Sequence, residues 1–148
     1  MTNKEKTLEH IRKVQLLLKY FLDKLTERSE NHDISKLVDE ESEVYSKEVI
    51  NTIHAFDHPE YEHYLNKIRI SIETHYSKNR HHPEHFSNSI NDMNLIDIIE
   101  MFCDWCSCSS LDQDLSIKDQ LMRNKRRYNI SEQLNTIFLN TAKVIGIK

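Results

Sequence analysis

Apolar residues near the start of the chain recur at helical spacing. Leu8, Ile11, Val14, Leu17 or Leu18, Phe21 and Leu25 fall on one stripe of a 3.6-residue period. The spacing predicts a helix over residues 3–28. His10 shares its phase with Val14, Leu17 and Phe21, so it is expected to face inward with them. The string SENHD then breaks the pattern. A second helical stretch is expected to begin near Asp33 or Ser35, with 39–56 continuing it or forming another helix. Pro59 suits the first turn of the next helix, predicted over 60–77. Tyr64, Ile68, Ile72 and then His75 or Tyr76 share a face of it. Residues 79–91 are polar and contain Pro83, and read as a loop. Leu95, Ile99, Phe102 and Cys106 form the stripe of a helix over 95–107. After a break at LDQDLS, two more helices are predicted, over 117–128 and 131–145.

Composition narrows the fold class. The chain has 148 residues, one glycine (Gly146) and two prolines. Few helix breakers among many Leu, Ile, Lys and Glu point to an all-α chain. The expectation is a single domain over 1–148, a bundle of six or seven helices. With one near-terminal glycine, neither a glycine-rich phosphate loop nor a dinucleotide fingerprint can be built. The longest apolar runs fall far short of the roughly 20 residues of a membrane span. The N-terminal MTNKEKTLEH has no apolar signal core, so a cytoplasmic protein without a membrane partner is expected. The formal net charge of −4 disfavours extended nucleic-acid binding. Cys103, Cys106 and Cys108 make a poor disulfide framework and fit a reducing compartment. Self-association is left open.

The candidate chemistry lies in the histidines. Four of nine (His75, His81, His82 and His85) sit within THYSKNRHHPEHF. Along the chain come His10, the adjacent pair His32-Asp33, His75, the pair His81-His82, and Asp104. Singly, each has an ordinary structural reading. His10 would be a hydrogen-bonded core histidine, Asp33 a helix cap and Asp104 a satisfied polar group. Together they favour a metal site, because neutral imidazole with carboxylate oxygen suits Zn, Mn, Fe or Ni.

That order, H…HD…H…HH…D, resembles the HD-domain superfamily of helical metal-dependent phosphohydrolases. HDISK is close to the HD-x-x-K signature of its HD-GYP branch, and HHPEH stands where that branch has its HHE segment. No GYP tail follows, so cyclic-dinucleotide specificity is not carried over. The likeness spans His10 to Asp104. The chain is also similar to a family of small phage and bacterial proteins marked by HDxSKL, NRHHPEH and EMxCDW, here HDISKL, NRHHPEH and EMFCDW. That likeness implies a bacterial or phage-infected cell but no activity.

The HD resemblance implies an HD-like bundle in which His10, His32, Asp33 and Asp104 hold one metal. His75 with His81, His82 or both would serve a second metal, bridged by Asp33. Lys36 would contact a substrate phosphate or a metal-held oxygen. The implied cofactor is one or two divalent ions among Mn, Fe, Zn, Ni and Mg. The implied activity is hydrolysis of a nucleotide or related phosphate ester by metal-activated water. Two alternatives follow: an HD-like di-iron oxygenase, or a non-catalytic metal- or nucleotide-binding module of phage origin. The catalytic set is then Asp33, Lys36 and Glu84, with Glu84, His81 or His82 protonating the leaving oxygen. The substrate-binding set is Lys36, Asn79, His85 and Arg127, an Arg matching phosphate in a bidentate way.

Glu84, Glu100 and Asn79 are candidates to accept the second ring N–H of a ligand histidine. His85 is open between that role and loop packing. His54, His58 and His63 read as surface histidines. Cys103 and Cys106 read as buried apolar cysteines rather than zinc ligands. Trp105 reads as core, and the acidic 39–43 run and most of RNKRRY as solvated faces.

Overall fold

Thr2 starts the first helix, α1 (Asn3–Asn31), with a reciprocal capping box. The Glu5 N–H donates to Thr2 Oγ1 at 3.3 Å, and the Thr2 N–H donates to Glu5 Oε2 at 2.6 Å. Ion pairs Lys13–Glu9 and Lys24–Glu27 support its surface at one-turn spacing. The helix ends on His32, which leaves helical geometry at φ −58°, ψ 122°.

The computed structural model describes residues 1–37, 61–111 and 116–147. The expected helical stretch 39–56, the acidic run 39–43, His54, His58, Pro59 and positions 112–115 of LDQDLS lie outside the described residues. Five α-helices and three 3-10 turns occur among the described residues, with no strand, so the chain is all-α. Six or seven helices are expected from the sequence; five are described.

The described residues form two compact units, Met1–His32 and Asp33–Lys148. The first is α1. None of its residues is buried. His10, expected to face inward, is exposed, as are Val14 and Leu17. A single helix taken by itself has nothing against which to bury a stripe.

The second unit opens on a 3-10 turn, Ile34–Leu37, and continues with α2 (Tyr61–Lys78), turns Pro83–His85 and Ser89–Asp92, α3 (Leu95–Leu111), α4 (Ile117–Tyr128) and α5 (Glu132–Ile145). Ser116 and Ser131 cap α4 and α5 by accepting the N–H of Asp119 and Leu134. Asn129, at φ 51°, closes α4 in left-handed geometry and turns the chain within three residues into α5.

Met101, Phe102, Trp105, Cys106, Ile117, Leu121, Ile130, Phe138 and Ala142 form the core of α3, α4 and α5. Phe102 stacks on Phe138 at 5.1 Å between ring centres, and Trp105 lies parallel to Tyr128 at 6.0 Å. Two packing expectations need correction. The buried face of α3 carries Asp97, Met101, Phe102, Trp105 and Cys106, whereas Leu95 and Ile99 are exposed. The reason is polar: the carboxylate of Asp97 is fully buried on that face by an ion pair described below. Cys103 is exposed, as is Cys108; only Cys106 is buried, and all three are free thiols. No helix among the described residues is long and apolar enough to cross a membrane.

Candidate metal centre

Asp33 is the first residue of the second unit and sits at φ 55°. Non-glycine residues rarely adopt this left-handed geometry, Asp and Asn more readily than most. The turn is closed by the Lys36 N–H, which donates to the Asp33 carbonyl at 2.9 Å. Lys36 Nζ also donates to Asp33 Oδ2 at 2.6 Å. That leaves Oδ1 facing two imidazoles, with His75 Nε2 at 3.3 Å and His81 Nε2 at 3.4 Å.

His75 lies in the last turn of α2. The helix ends there because Asn79 folds back: its N–H donates to the His75 carbonyl at 3.0 Å and its side-chain amide to the same oxygen at 2.9 Å. A tight turn follows, with the His82 N–H donating to Asn79 O, and Pro83 opens the next 3-10 turn. The turn is pinned through Arg80, whose Nε and Nη2 donate to Asp97 Oδ1 and Oδ2 at 3.1 and 3.0 Å. Arg80 also lies over the Phe86 ring at 4.8 Å. Asp97 is itself tied into the start of α3, where the Asn94 N–H donates to Asp97 Oδ2 and the Asp97 N–H donates to Asn94 Oδ1. These contacts place His81 and His82 beside His75. The His82 ring centre is 4.1 Å from that of His81 and 4.8 Å from that of His75.

Asp33, His75, His81 and His82 therefore converge, each offering one ligand atom, with all four atoms within 4.8 Å of one another. A tetrahedral ion with bonds of about 2.1 Å spaces its donors roughly 3.4 Å apart. The Asp33–His75 and Asp33–His81 separations of 3.3 and 3.4 Å match that edge, and His75 Nε2 to His82 Nε2 is 2.8 Å. Three imidazoles and a carboxylate are a donor set that suits Zn, Fe, Mn or Ni.

The surroundings support the ligand states such an ion needs. His81 Nδ1 lies 3.2 Å from Glu100 Oε1 on α3. A carboxylate can only accept, so Nδ1 carries a proton toward Glu100, and an ion at Nε2 would stand where that nitrogen now faces Asp33. Burial pushes the Asp33 carboxyl up, but hydrogen bonds from His75, His81 and Lys36 outweigh it and hold the group far below the usual carboxylate range. Burial, then the neighbouring His81 and His75, depress His82 to about 3, so its ring is neutral at pH 7. Asp104 stands one turn beyond Glu100 and brings a carboxylate oxygen within 4.8 Å of one of Asp33. Cys108 Sγ lies 4.0 Å from Asp104 Oδ1.

The chain belongs to the DUF5662 family. That family, described as one of unknown function, matches residues 1–144. No curated protein and no solved structure matches the chain.

Within this member of DUF5662 the residues expected to carry chemistry divide clearly. Asp33, Lys36, His75, Asn79, His81, His82 and Asp104 are brought together with Glu100. His10 and His32 belong to the first unit, where His10 is exposed on α1 and His32 ends it. Glu84 is engaged elsewhere: its Oε1 accepts from Arg127 Nη2 at 2.7 Å and from Tyr128 OH at 2.8 Å. The pairing ties the Pro83–His85 turn to the end of α4. His85 Nδ1 donates to the Tyr76 carbonyl at 3.1 Å and packs the loop. Ser35 escaped the sequence reading, although it stands two residues after Asp33 in HDISK. Arg80 and Asp97 also escaped it, because nothing local marks a pair seventeen residues apart.

Proposed function

We propose that the chain is a metal-dependent phosphohydrolase with an HD-like fold, acting on a nucleotide or related phosphate ester. The observation that carries the reading is the convergence of Asp33, His75, His81 and His82 at ligand spacing. The reaction class comes from the likeness of HDISK and HHPEH to HD phosphohydrolases, and His10 enters through that likeness alone.

The chain's own groups divide the work. His82 presents a neutral imidazole, His75 and His81 present ring nitrogens beside it, and Asp33 presents Oδ1 while Oδ2 is held by Lys36. The Lys36 side chain is 38% exposed, so its ammonium can meet an incoming phosphoryl oxygen and neutralise its charge. Asp104 brings a further carboxylate beside Asp33, able to accept a proton or position a water. A bound divalent ion supplies a Lewis acid and a water acidified from about 15.7 toward roughly 7.

The test is turnover by untagged protein supplied with Mn, Fe or Zn against a broad panel of nucleotides and phosphate monoesters. Phosphate or nucleoside release that chelator and Asp33→Ala both abolish is the expected result. No turnover across the panel overturns the hydrolase reading. Iron-dependent oxygen uptake would replace it with an oxygenase. Unchanged metal content in Asp33→Ala would remove the metal centre itself.

A further inference from the structure

We propose that Ser35 is a positioning residue that allows His75 to change tautomer and serve as an Nε2 ligand. The inference rests on the metal-centre reading above. His75 is 2% exposed, so bulk water does not serve its ring nitrogens. Among the described residues, Ser35 Oγ stands 3.3 Å and Asn79 Nδ2 3.1 Å from Nδ1. The Asn79 amide is oriented by donating to the His75 carbonyl at 2.9 Å. Turning it over would set two carbonyl oxygens against each other, so toward Nδ1 it presents a donor. Of these two neighbours, the hydroxyl alone can accept.

That difference matters because His75 needs two states. In the metal-free protein, a proton on His75 Nε2 can donate across the 2.8 Å gap to His82 Nε2. Nδ1 then accepts from Ser35 or Asn79. To offer Nε2 to an ion, the ring must carry its proton on Nδ1, which then requires an acceptor. A hydroxyl both donates and accepts. Ser35 meets the second state by rotating its O–H, with no heavy atom moving, and Asn79 Nδ2, donating to Ser35 Oγ at 3.2 Å, holds the oxygen in place. His81 differs. Its Nδ1 faces the acceptor-only Glu100, which keeps a proton on Nδ1 with or without an ion.

The test compares wild type, Ser35→Ala and Ser35→Thr by zinc affinity against a competing chelator, melting of the metal-free protein, and 15N imidazole spectra with and without zinc. Ser35→Ala is expected to lose about 10–100-fold in zinc affinity, as lost supports of ligand histidines do. Its metal-free melting temperature should stay near wild type, and Ser35→Thr, which keeps the hydroxyl, should recover most of the affinity. In wild type, His75 should move from the Nε2–H to the Nδ1–H form on loading, while His81 keeps its Nδ1 proton in both states. Zinc affinity unchanged in Ser35→Ala, no recovery in Ser35→Thr, or a His75 tautomer unaltered by zinc would each overturn the proposal. If wild type itself takes up no zinc, the centre falls and this inference with it. If wild type binds and Ser35→Ala binds alike, only the inference falls.

Discussion

His82 illustrates how one side chain ties site chemistry to stability. Burial and two neighbouring imidazoles depress it to about 3. An unfolded histidine titrates near 6.5. Between those values the unfolded chain binds a proton that the folded chain does not, so stability falls as pH falls through that window, by up to about 1.4 kcal/mol per pH unit. Asp33 acts in the same direction at lower pH. Its folded value is depressed, so its contribution is present above an unfolded value of about 3.9 and is lost on further acidification. Chelator-treated protein is therefore expected to melt progressively lower from about pH 6.5 downward. His82→Gln should flatten the upper part of that profile and leave the fall below about pH 4. Thermal melts across pH check both limbs. Glu100 yields a second expectation. It accepts from His81 Nδ1, so Glu100→Ala should weaken zinc binding about 10–100-fold, read by chelator competition. Equal affinity would place Glu100 outside the centre.

At the scale of elements, the site depends on how the turn after α2 is held against the start of α3. The contact is Arg80 with the fully buried Asp97. Removing the guanidinium leaves a buried carboxylate short of two charge-assisted bonds. Arg80→Ala should cost about 3 kcal/mol, the low end of the range for broken buried pairs because Arg80 itself is partly exposed. It should also lower zinc affinity by loosening His81 and His82. Denaturant melts and metal titration read the two effects, and a variant that lost neither would show that the turn is held by other contacts. The helices themselves were legible: α4 spans the predicted 117–128, and α5 begins one residue after the predicted Ser131, which serves as its cap. Local signals of apolar period and serine caps decide such elements. The inward face of α3 was not legible, because apolar period cannot foresee a buried carboxylate such as Asp97. The pairing of Glu84 with Arg127 and Tyr128 was not legible for a similar reason. The partners lie more than forty residues apart.

For the whole molecule, the order of His and Asp along the chain pointed to side chains that do converge, Asp33, His75, His81 and His82, since those residue types are the ones metal chemistry uses. Which group holds each ring nitrogen was not readable, because that depends on where Ser35, Asn79 and Glu100 arrive in space. The second unit carries the convergent Asp33, His75, His81 and His82, drawn from its opening turn, the end of α2 and the following loop. An ion held there closes three separate segments on one another, and the unfolded chain has no such cluster. Binding energy therefore appears as folding energy. At a free zinc concentration one hundred times the dissociation constant, linkage gives about 2.7 kcal/mol of added stability. For a chain of 148 residues that corresponds to a rise of roughly 5–11 °C in melting temperature. The rise should grow with the logarithm of free zinc, vanish with chelator and be absent in Asp33→Ala. A flat melting temperature across a zinc titration, with the wild-type protein folded throughout, would mean that the four side chains converge for hydrogen bonding alone. The 2.8 Å contact between His75 and His82 would then be a neutral imidazole pair rather than half of a ligand set.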